Sequence, residues 1–283
     1  MSLRVLSQLD LDFFDANGYL VVPQVVPQDL LDAVIAVIWD FLEMDPADSS
    51  TWYPTDRRGT LAHVHQHQAL WNTRQYPRLH QAFADILGTE KLWVSMDRAT
   101  MKPPLDPRFP HYQDRGFVHW DLDLSKPLPT TLGVQGVLAL ADTTAEMGGF
   151  CCIPGFHRVL EEWLASQPAG VDRQHPDLSR LPEGYQVTPI PMQAGDLVIW
   201  NRLLAHGNGC NQGTRPRLGQ YITMYPASDD EQRRQERIAC WRERRAPSHW
   251  ERDIPEKYRG REQRNPPAEL TPLGRKLLGL DLW

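Results

Sequence analysis

The chain has 283 residues, with 30 lysines and arginines against 36 aspartates and glutamates, which gives a formal net charge of −6 at pH 7. Hydrophobic residues make up 41% and charged residues 23%, as in an ordinary folded protein, so disorder and coiled coil are poor descriptions of it. The acidic balance disfavours a nucleic-acid partner, and no apolar run is long enough for a signal peptide or a membrane span. We therefore expect a cytoplasmic protein without membrane or nucleic-acid partners, while the composition leaves its oligomeric state open.

One domain over residues 1–283 is expected, and its first stretch, residues 1–90, is predicted to be a helical N-terminal support. Ser7 and Asp10 have the spacing of a capping pair, which predicts a helix that begins there and ends at Gly18. The other elements predicted in this stretch are a strand over 19–23, helices over 27–42 and 77–87, and irregular chain over 45–75.

The second stretch, residues 91–225, is predicted to form the β core. Runs of β-forming residues alternate there with Gly, Pro, Asn and Asp, which is typical of short antiparallel strands. The runs cover 91–101, 117–121, 131–141, 149–153, 186–190, 196–202 and 217–225. Seven such strands predict a mainly β protein with flanking helices, in which the core is a double-sheet barrel or sandwich.

The third stretch, residues 226–283, is dense in charges of both signs and poor in β-forming residues, so polar helices are predicted. It finishes in an apolar end from Leu277 to Trp283, which must dock somewhere on the protein. Two roles are open for that end. It covers the outer face of a sheet, or it joins loop 45–75 as a lid over the mouth of a cavity.

The motif His119-Trp120-Asp121 lies at the end of a predicted strand, and strand alternation places His119 and Asp121 on the same side. His206 follows another strongly strand-like run and supplies a third ligand. Two histidines and one carboxylate leave three metal positions open for a chelating ligand and O2, which is the pattern of non-haem Fe(II) oxygenases. A zinc hydrolase would use the same three ligands, but it would also need a general-base carboxylate, and none is obvious.

Arg217 stands on the next predicted strand after His206. A guanidinium there is suited to bind the distal carboxylate of a 2-oxo diacid through two hydrogen bonds, while the other end of the diacid chelates iron. Arg215 lies only two residues away on the same predicted face, so the residues alone leave both arginines as candidates.

The sequence resembles the phytanoyl-CoA dioxygenase-like branch of the Fe(II)/2-oxoglutarate oxygenases, from about residue 10 to residue 225. The matching segments, in chain order, are Phe14 to Val22, Met101 to Pro104, His119 to Asp121, Gly148 to His157, Ala194 to Asp196, His206 to Asn211, and Arg217. The HxD motif alone is weak evidence, whereas this ordered set with its spacings is specific. The resemblance covers most of the chain.

The resemblance implies a double-stranded β-helix, which is a jelly-roll core similar to that of the cupins. It also implies that His119, Asp121 and His206 bind Fe(II) and that Arg217, rather than Arg215, binds the cosubstrate 2-oxoglutarate. With O2, such an enzyme hydroxylates a small organic molecule, here a secondary metabolite or a carboxylate, and releases succinate and CO2. Related halogenases replace the carboxylate ligand by a small residue, so Asp121 favours hydroxylation, desaturation or ring chemistry over halogenation. Trp120 stands where the family often has glutamine, which predicts a bulkier pocket wall.

Two further side chains are predicted to face the cavity and to bind cosubstrate or substrate. Arg98 has the same inward parity as Thr100 and Lys102 on one predicted strand, so we expect it to meet an anionic group of the substrate or cosubstrate. Gln135 lies on a central strand, where a buried amide needs a partner. That partner is the cosubstrate, the substrate or a neighbouring side chain.

A second group of imidazoles, His63, His65 and His67, lies in a loop-like segment without a carboxylate, so we expect a polar loop or pocket-rim role instead of metal binding. Two other functions remain open for the whole chain. A mononuclear metalloenzyme on the same barrel would not use 2-oxoglutarate and would not need Arg217. A catalytically silent small-molecule-binding homologue is disfavoured by the intact set of ligands and anchor.

Overall fold

The computed structural model of the chain describes residues 5–53, 61–168, 170–171 and 177–283. Its α-helices in these ranges are α1 (Gln8–Asn17), α2 (Gln28–Leu42), α3 (Gln68–Arg74), α4 (Pro77–Leu87), α5 (Leu160–Ser166), α6 (Glu231–Glu243), α7 (Ser248–Glu251) and α8 (Pro272–Leu278). The strands are β1 (Tyr19–Val22), β2 (Leu61–Ala62), β3 (Leu92–Val94), β4 (Ala99–Lys102), β5 (Phe117–His119), β6 (Val134–Ala139), β7 (Phe150–Cys152), β8 (Thr188–Pro189), β9 (Leu197–Asn201), β10 (His206–Asn208), β11 (Arg217–Tyr221) and β12 (Met224–Pro226).

Two antiparallel sheets form the core. The larger sheet has six strands in the order β1-β9-β6-β11-β4-β2, and the smaller has four in the order β5-β10-β7-β8. Strands β3 and β12 pair separately as a two-stranded ribbon. Because neighbours in each sheet are distant in sequence and all pairs are antiparallel, the arrangement is that of a jelly-roll. This agrees with the predicted double-stranded β-helix.

Strand alternation divides the hydrophobic core into an inner and an outer layer. On the inner face of the larger sheet, Val137 and Val198 belong to the same buried cluster as Phe150 of the smaller sheet. On the outer face, Leu138 is buried in a second cluster together with Leu31 of α2. The helices therefore cover the outside of the larger sheet, and the inner face is left for the space between the two sheets.

The N-terminal helices begin and end as their capping residues predict. Ser7 and Asp10 form a reciprocal capping box at the start of α1, and Gly18 ends that helix with a φ of 77°. The predicted helices 27–42 and 77–87 correspond to α2 and α4. Residues 1–90 are nevertheless more than a helical support, because β1 and β2 form the two edges of the larger sheet.

The prediction of irregular chain over 45–75 is wrong where that range is described, since it contains β2 and α3. In α3 the apolar residues Ala69, Leu70 and Trp71 are consecutive and all buried, so the helix shows no one-sided pattern in the sequence. Residues 54–60 of the same range, which formed part of the predicted loop, lie outside the described residues.

The C-terminal stretch consists of short helices and ends in a docked apolar segment. Leu277 and Leu278 of α8 are fully buried, and the Trp283 indole N–H donates to the carbonyl of Leu92 in β3 at 2.9 Å. The buried Arg237 guanidinium of α6 donates to the carbonyls of Leu277 and Leu278 at 2.9 Å each. This end therefore packs against the β3–β12 ribbon, which supports the covering role over the lid. Among the described residues, no helix has the length and apolar character needed to cross a membrane.

Candidate active site

The three predicted metal ligands come together because β5 and β10 are neighbours in the smaller sheet. His206 lies directly opposite His119 in the register of these strands, and Gly207 lies opposite Val118. A Cβ atom at position 207 would overlap the carbonyl oxygen of Phe117, so only glycine allows the two strands to approach in this way. Asp121 follows β5 by two residues and turns its side chain to the same side as His119.

One ligand atom from each of His119, Asp121 and His206 lies within 4.8 Å of the others, and no other such group occurs among the described residues. The Oδ1 atom of Asp121 is 3.1 Å from His119 Nε2, and its Oδ2 atom is 3.4 Å from His206 Nε2. Hydrogen bonding to His119 first, and then to His206, holds the pKa of the Asp121 carboxyl well below its ordinary value. The site therefore presents an ionised carboxylate between two imidazoles.

The three ligands differ in exposure. The His206 side chain is 5% exposed, whereas those of His119 and Asp121 are 35% and 52% exposed, so the site opens on the side of these two residues. The Nδ1–H group of His206 donates to the carbonyl of Leu204 at 2.9 Å. That bond fixes the imidazole so that Nε2 faces Asp121, which is how protein ligands to metals are commonly oriented.

A chain of hydrogen bonds connects Asp121 to the wall of the larger sheet. The Gln135 side-chain amide donates to Asp121 Oδ2 at 2.7 Å, and the Trp200 indole N–H donates to Gln135 Oε1 at 3.2 Å. Because the indole can only donate, it determines which end of the amide faces the carboxylate. The partner of Gln135 in the structure is thus a neighbouring side chain, and a direct contact with cosubstrate stays a prediction.

Arg217 is a buried cation on the inner face of the larger sheet. It is 2% exposed, and no described residue forms a hydrogen bond or ion pair with its side chain. Lys102, which lies opposite it in the register, is paired instead, with Nζ 2.9 Å from Asp114 Oδ2 and 2.8 Å from the carbonyl of Gly209. A buried guanidinium without an acceptor is suited to an anionic ligand. Arg215 is exposed and precedes β11, so the structure favours Arg217 as the anchor.

Arg98 lies beside the first residue of β4, and its guanidinium carbon is 3.7 Å from the centre of the Trp250 ring. No sequence pattern indicates this contact, because Trp250 belongs to the C-terminal stretch and meets the barrel only in the folded chain. The ion pair of Lys102 with Asp114 is likewise not indicated by the sequence, although these two residues are only twelve positions apart. Both contacts involve residues that no short motif connects.

The structure corrects the expected role of Trp120. Its side chain is 6% exposed and packs with Phe156 and Trp163, with ring centroids 6.1 and 6.0 Å away. Its indole N–H donates to the carbonyl of Leu203 at 2.9 Å. Since it alternates with His119 and Asp121, it points away from the ligands, and the prediction of a bulkier pocket wall is wrong.

Of the three histidines at 63, 65 and 67, His63 lines a cavity of about 420 Å³, in agreement with a pocket-rim role, and the other two have structural roles. His65 is fully buried, with Nδ1 2.9 Å from the carbonyl of Met96, so the expectation of a polar loop is wrong for it. His67 accepts the backbone N–H of Ala69 at 3.2 Å and caps α3. Neither belongs to the one candidate metal group found in the described ranges.

Comparisons with known proteins match the part of the chain that contains the candidate site. The profile of the phytanoyl-CoA dioxygenase (PhyH) family matches residues 14–219. A protein of Dictyostelium discoideum named putative phytanoyl-CoA dioxygenase is 25% identical over 263 residues, and the alignment covers 77% of this chain and 75% of that protein.

Solved structures share the architecture. The hypothetical protein JW0805 from Escherichia coli has a TM-score of 0.66 at 15% identity, with 97% of this chain and 82% of that chain covered. The epimerase SnoN, solved in complex with Fe3+, alpha ketoglutarate and nogalamycin RO, has a TM-score of 0.56 at 16% identity, with 78% of this chain and 83% of that chain covered. At such identities the likeness concerns the fold, and it confirms the predicted jelly-roll.

The matched range 14–219 is most of the chain, and it contains His119, Asp121, His206 and Arg217 at the positions that the sequence motifs predict. It also contains every strand of the two sheets except the last two residues of β11. The predicted family is confirmed: this chain belongs to the phytanoyl-CoA dioxygenase family.

Proposed function

We propose that this dioxygenase-family protein is an Fe(II)- and 2-oxoglutarate-dependent oxygenase that hydroxylates a small organic molecule and releases succinate and CO2. The observation that carries the proposal is the group of His119, Asp121 and His206, whose ligand atoms lie within 4.8 Å of one another. Family membership supports the reaction class, and the SnoN relative in fold was solved with iron and alpha ketoglutarate.

The donor set suits iron. His119 and His206 would supply two neutral imidazole nitrogens, and Asp121 would supply one carboxylate oxygen, which leaves sites for a chelating cosubstrate and for O2. When bound, the iron supplies the oxygen chemistry, which side chains cannot perform. The ionised state of Asp121 means that no proton has to leave the carboxyl when a cation binds.

Arg217 would hold the distal carboxylate of 2-oxoglutarate. It lies opposite Lys102, and the Lys102 ammonium donates to the carbonyl of Gly209, which follows the end of β10 and lies three residues beyond His206. At roughly 3.3 Å per residue, this places the Arg217 end of the cavity about 10 Å from the level of the metal ligands. Buried and unpaired in the described part of the chain, Arg217 is ready to form a charge-assisted bond with an anion.

Gln135 would act as a positioning residue and not as a ligand. By donating to Asp121 Oδ2 it restricts rotation of the carboxylate, and Trp200 restricts the amide in turn. Residues that orient a metal ligand in this way affect metal affinity. Because Asp121 keeps a carboxylate at this position, hydroxylation is favoured over halogenation. The substrate we propose is a secondary metabolite or a carboxylate-bearing small molecule.

The test measures succinate release by protein loaded with Fe(II) in the presence of a library of small organic molecules. Control reactions lack either 2-oxoglutarate or O2. We expect succinate only when iron, 2-oxoglutarate and O2 are all present, with a rise for a subset of the library. The His206→Ala variant should lose this activity, whereas His111→Ala, which removes an exposed histidine on a loop, should keep it.

Two results would contradict the proposal. Product formed without 2-oxoglutarate would indicate a different mononuclear metalloenzyme on the same barrel. Iron binding without any succinate, with or without library compounds, would indicate a catalytically silent homologue.

A further inference from the structure

Arg98 carries a second buried guanidinium without a hydrogen-bond partner among the described residues. Its Nε and Nη1 atoms are buried, and no described residue offers them a hydrogen-bond acceptor. The neighbouring Asp97 carboxylate accepts the backbone N–H of Arg98 at 2.8 Å. Burial raises the pKa of the Asp97 carboxyl and the charge of Arg98 opposes that rise, but the carboxylate does not hydrogen-bond the guanidinium. Buried polar groups of this kind nearly always have a partner, so an unpaired guanidinium indicates a partner that comes from outside the chain.

The position of Arg98 on the sheet places its side chain on the inner face. Side chains alternate along β4, so Arg98 has the same orientation as Lys102, the residue opposite Arg217. The backbone N–H of Tyr221 donates to the carbonyl of Arg98 at 3.0 Å, and Tyr221 is in turn paired with Val137. Val137 belongs to the inner core cluster, so this row of residues faces the space between the sheets.

The contact with Trp250 leaves the guanidinium available for a ligand. The Arg98 guanidinium carbon is 3.7 Å from the centre of the Trp250 ring, which is a close cation–π contact. Stacking uses one face of the planar group, whereas its N–H bonds point outward in the plane. Trp250 therefore fixes the orientation of Arg98 while its hydrogen-bonding edges remain free.

Arg98 and Arg217 lie far apart along the larger sheet. Arg98 and Lys102 are four residues apart along one strand, which corresponds to roughly 13 Å, and Arg217 lies beside Lys102. If Arg217 binds the distal end of 2-oxoglutarate, Arg98 is left for a different anionic group.

We propose that Arg98, oriented by Trp250, binds a carboxylate of the substrate, so that the enzyme acts on carboxylate-bearing small molecules. The inference rests on the proposed function, in which Arg217 is occupied by 2-oxoglutarate. It assigns the specificity for the acid group to a residue of the barrel and a residue of the C-terminal stretch. Neither of them is a metal ligand.

The test measures binding of phenylacetate and of its neutral isostere phenylacetamide to the protein saturated with Fe(II) and 2-oxoglutarate under anaerobic conditions. Ligand-observed NMR gives the two affinities. In the wild-type protein we expect the acid to bind roughly tenfold more tightly than the amide, because only the acid forms a charge-assisted bond with Arg98. Arg98→Met should abolish this preference, and Arg215→Met, which removes an exposed positive charge, should retain it.

A second variant protects the test against a folding defect. Trp250→Leu leaves the cation in place but frees it to rotate, so the acid preference should fall without disappearing, and what remains should be lost when Arg98→Met is added. Equal affinity for acid and amide in the wild type, or an acid preference that survives Arg98→Met, would overturn the inference. Failure of the proposed function would be seen separately, as an absence of 2-oxoglutarate binding in the wild-type protein.

Discussion

Replacing Arg217 by methionine is predicted to weaken 2-oxoglutarate binding strongly. The side chain is 2% exposed, so its bond to a carboxylate would form largely out of water. Removing one partner of a buried, hydrogen-bonded charge pair costs on the order of 2–5 kcal/mol. At 25 °C this corresponds to an increase in Kd by a factor of about 30 to 5000.

The same substitution is predicted to leave the stability of the cosubstrate-free protein unchanged or higher. Arg217 has no anionic partner in the described ranges, so its burial is an uncompensated cost that methionine removes. Lys102→Met is the contrasting case. It would leave the Asp114 carboxylate without its 2.9 Å ion pair, so we expect a loss of about 1–3 kcal/mol in the free energy of unfolding.

Isothermal titration of 2-oxoglutarate into protein loaded with Fe(II) under anaerobic conditions measures the first effect, and thermal unfolding measures the second. Arg215→Met is the matched control, because it removes an exposed arginine two residues away. A Kd for Arg217→Met close to the wild-type value would refute the assignment of the anchor. A loss of stability as large as that of Lys102→Met would show that Arg217 has a structural partner.

Four further predictions concern other parts of the molecule. Gln135→Leu removes the bond that orients Asp121, so iron affinity measured by chelator competition should fall roughly tenfold, and unchanged affinity would refute the positioning role. Gly207→Ala should abolish metal binding by forcing β5 and β10 apart, whereas Gly209→Ala, where a Cβ has ordinary contacts, should be tolerated. Burial raises the pKa of Glu262 to about 7, so the folded state holds this proton more tightly than the unfolded chain. The free energy of unfolding should fall by up to about 3 kcal/mol as the pH rises from about 4.5 to about 7. When it is measured by denaturant titration at several pH values in that range, it should change less with pH for Glu262→Gln than for the wild type. Truncation after Leu270 removes α8 and the docked end, so the Tm should drop markedly; an unchanged Tm would contradict the covering role.

The grouping of His119, Asp121 and His206 was predictable because its signals are local. Alternation along one strand places His119 and Asp121 on one side, and the ordered motifs of the family supply His206 and Arg217. The helices α1, α2 and α4 were predictable for a similar reason, since each has a cap or proline at its start and a one-sided apolar pattern or a terminal glycine.

Other features depend on contacts that the sequence does not display. Strand β10 has the sequence His206-Gly207-Asn208, which has poor β-forming character, and its pairing with β5 and β7 makes it a strand. The run 91–101, predicted as one strand, is divided into β3 and β4, which pair in different sheets. The stacking of Trp250 on Arg98 joins two stretches of the chain that no pattern links.

Anaerobic titration of the purified protein with Fe(II) and 2-oxoglutarate, followed by visible absorption, tests the central claim most directly. Chelation of iron by the 2-oxo acid gives a weak charge-transfer band, and we predict that the band appears at one equivalent of iron in the wild-type protein. It should be lost in His206→Ala and should require far more 2-oxoglutarate in Arg217→Met. Full iron binding and an unchanged band in His206→Ala would contradict the assignment of His119, Asp121 and His206 as the iron site.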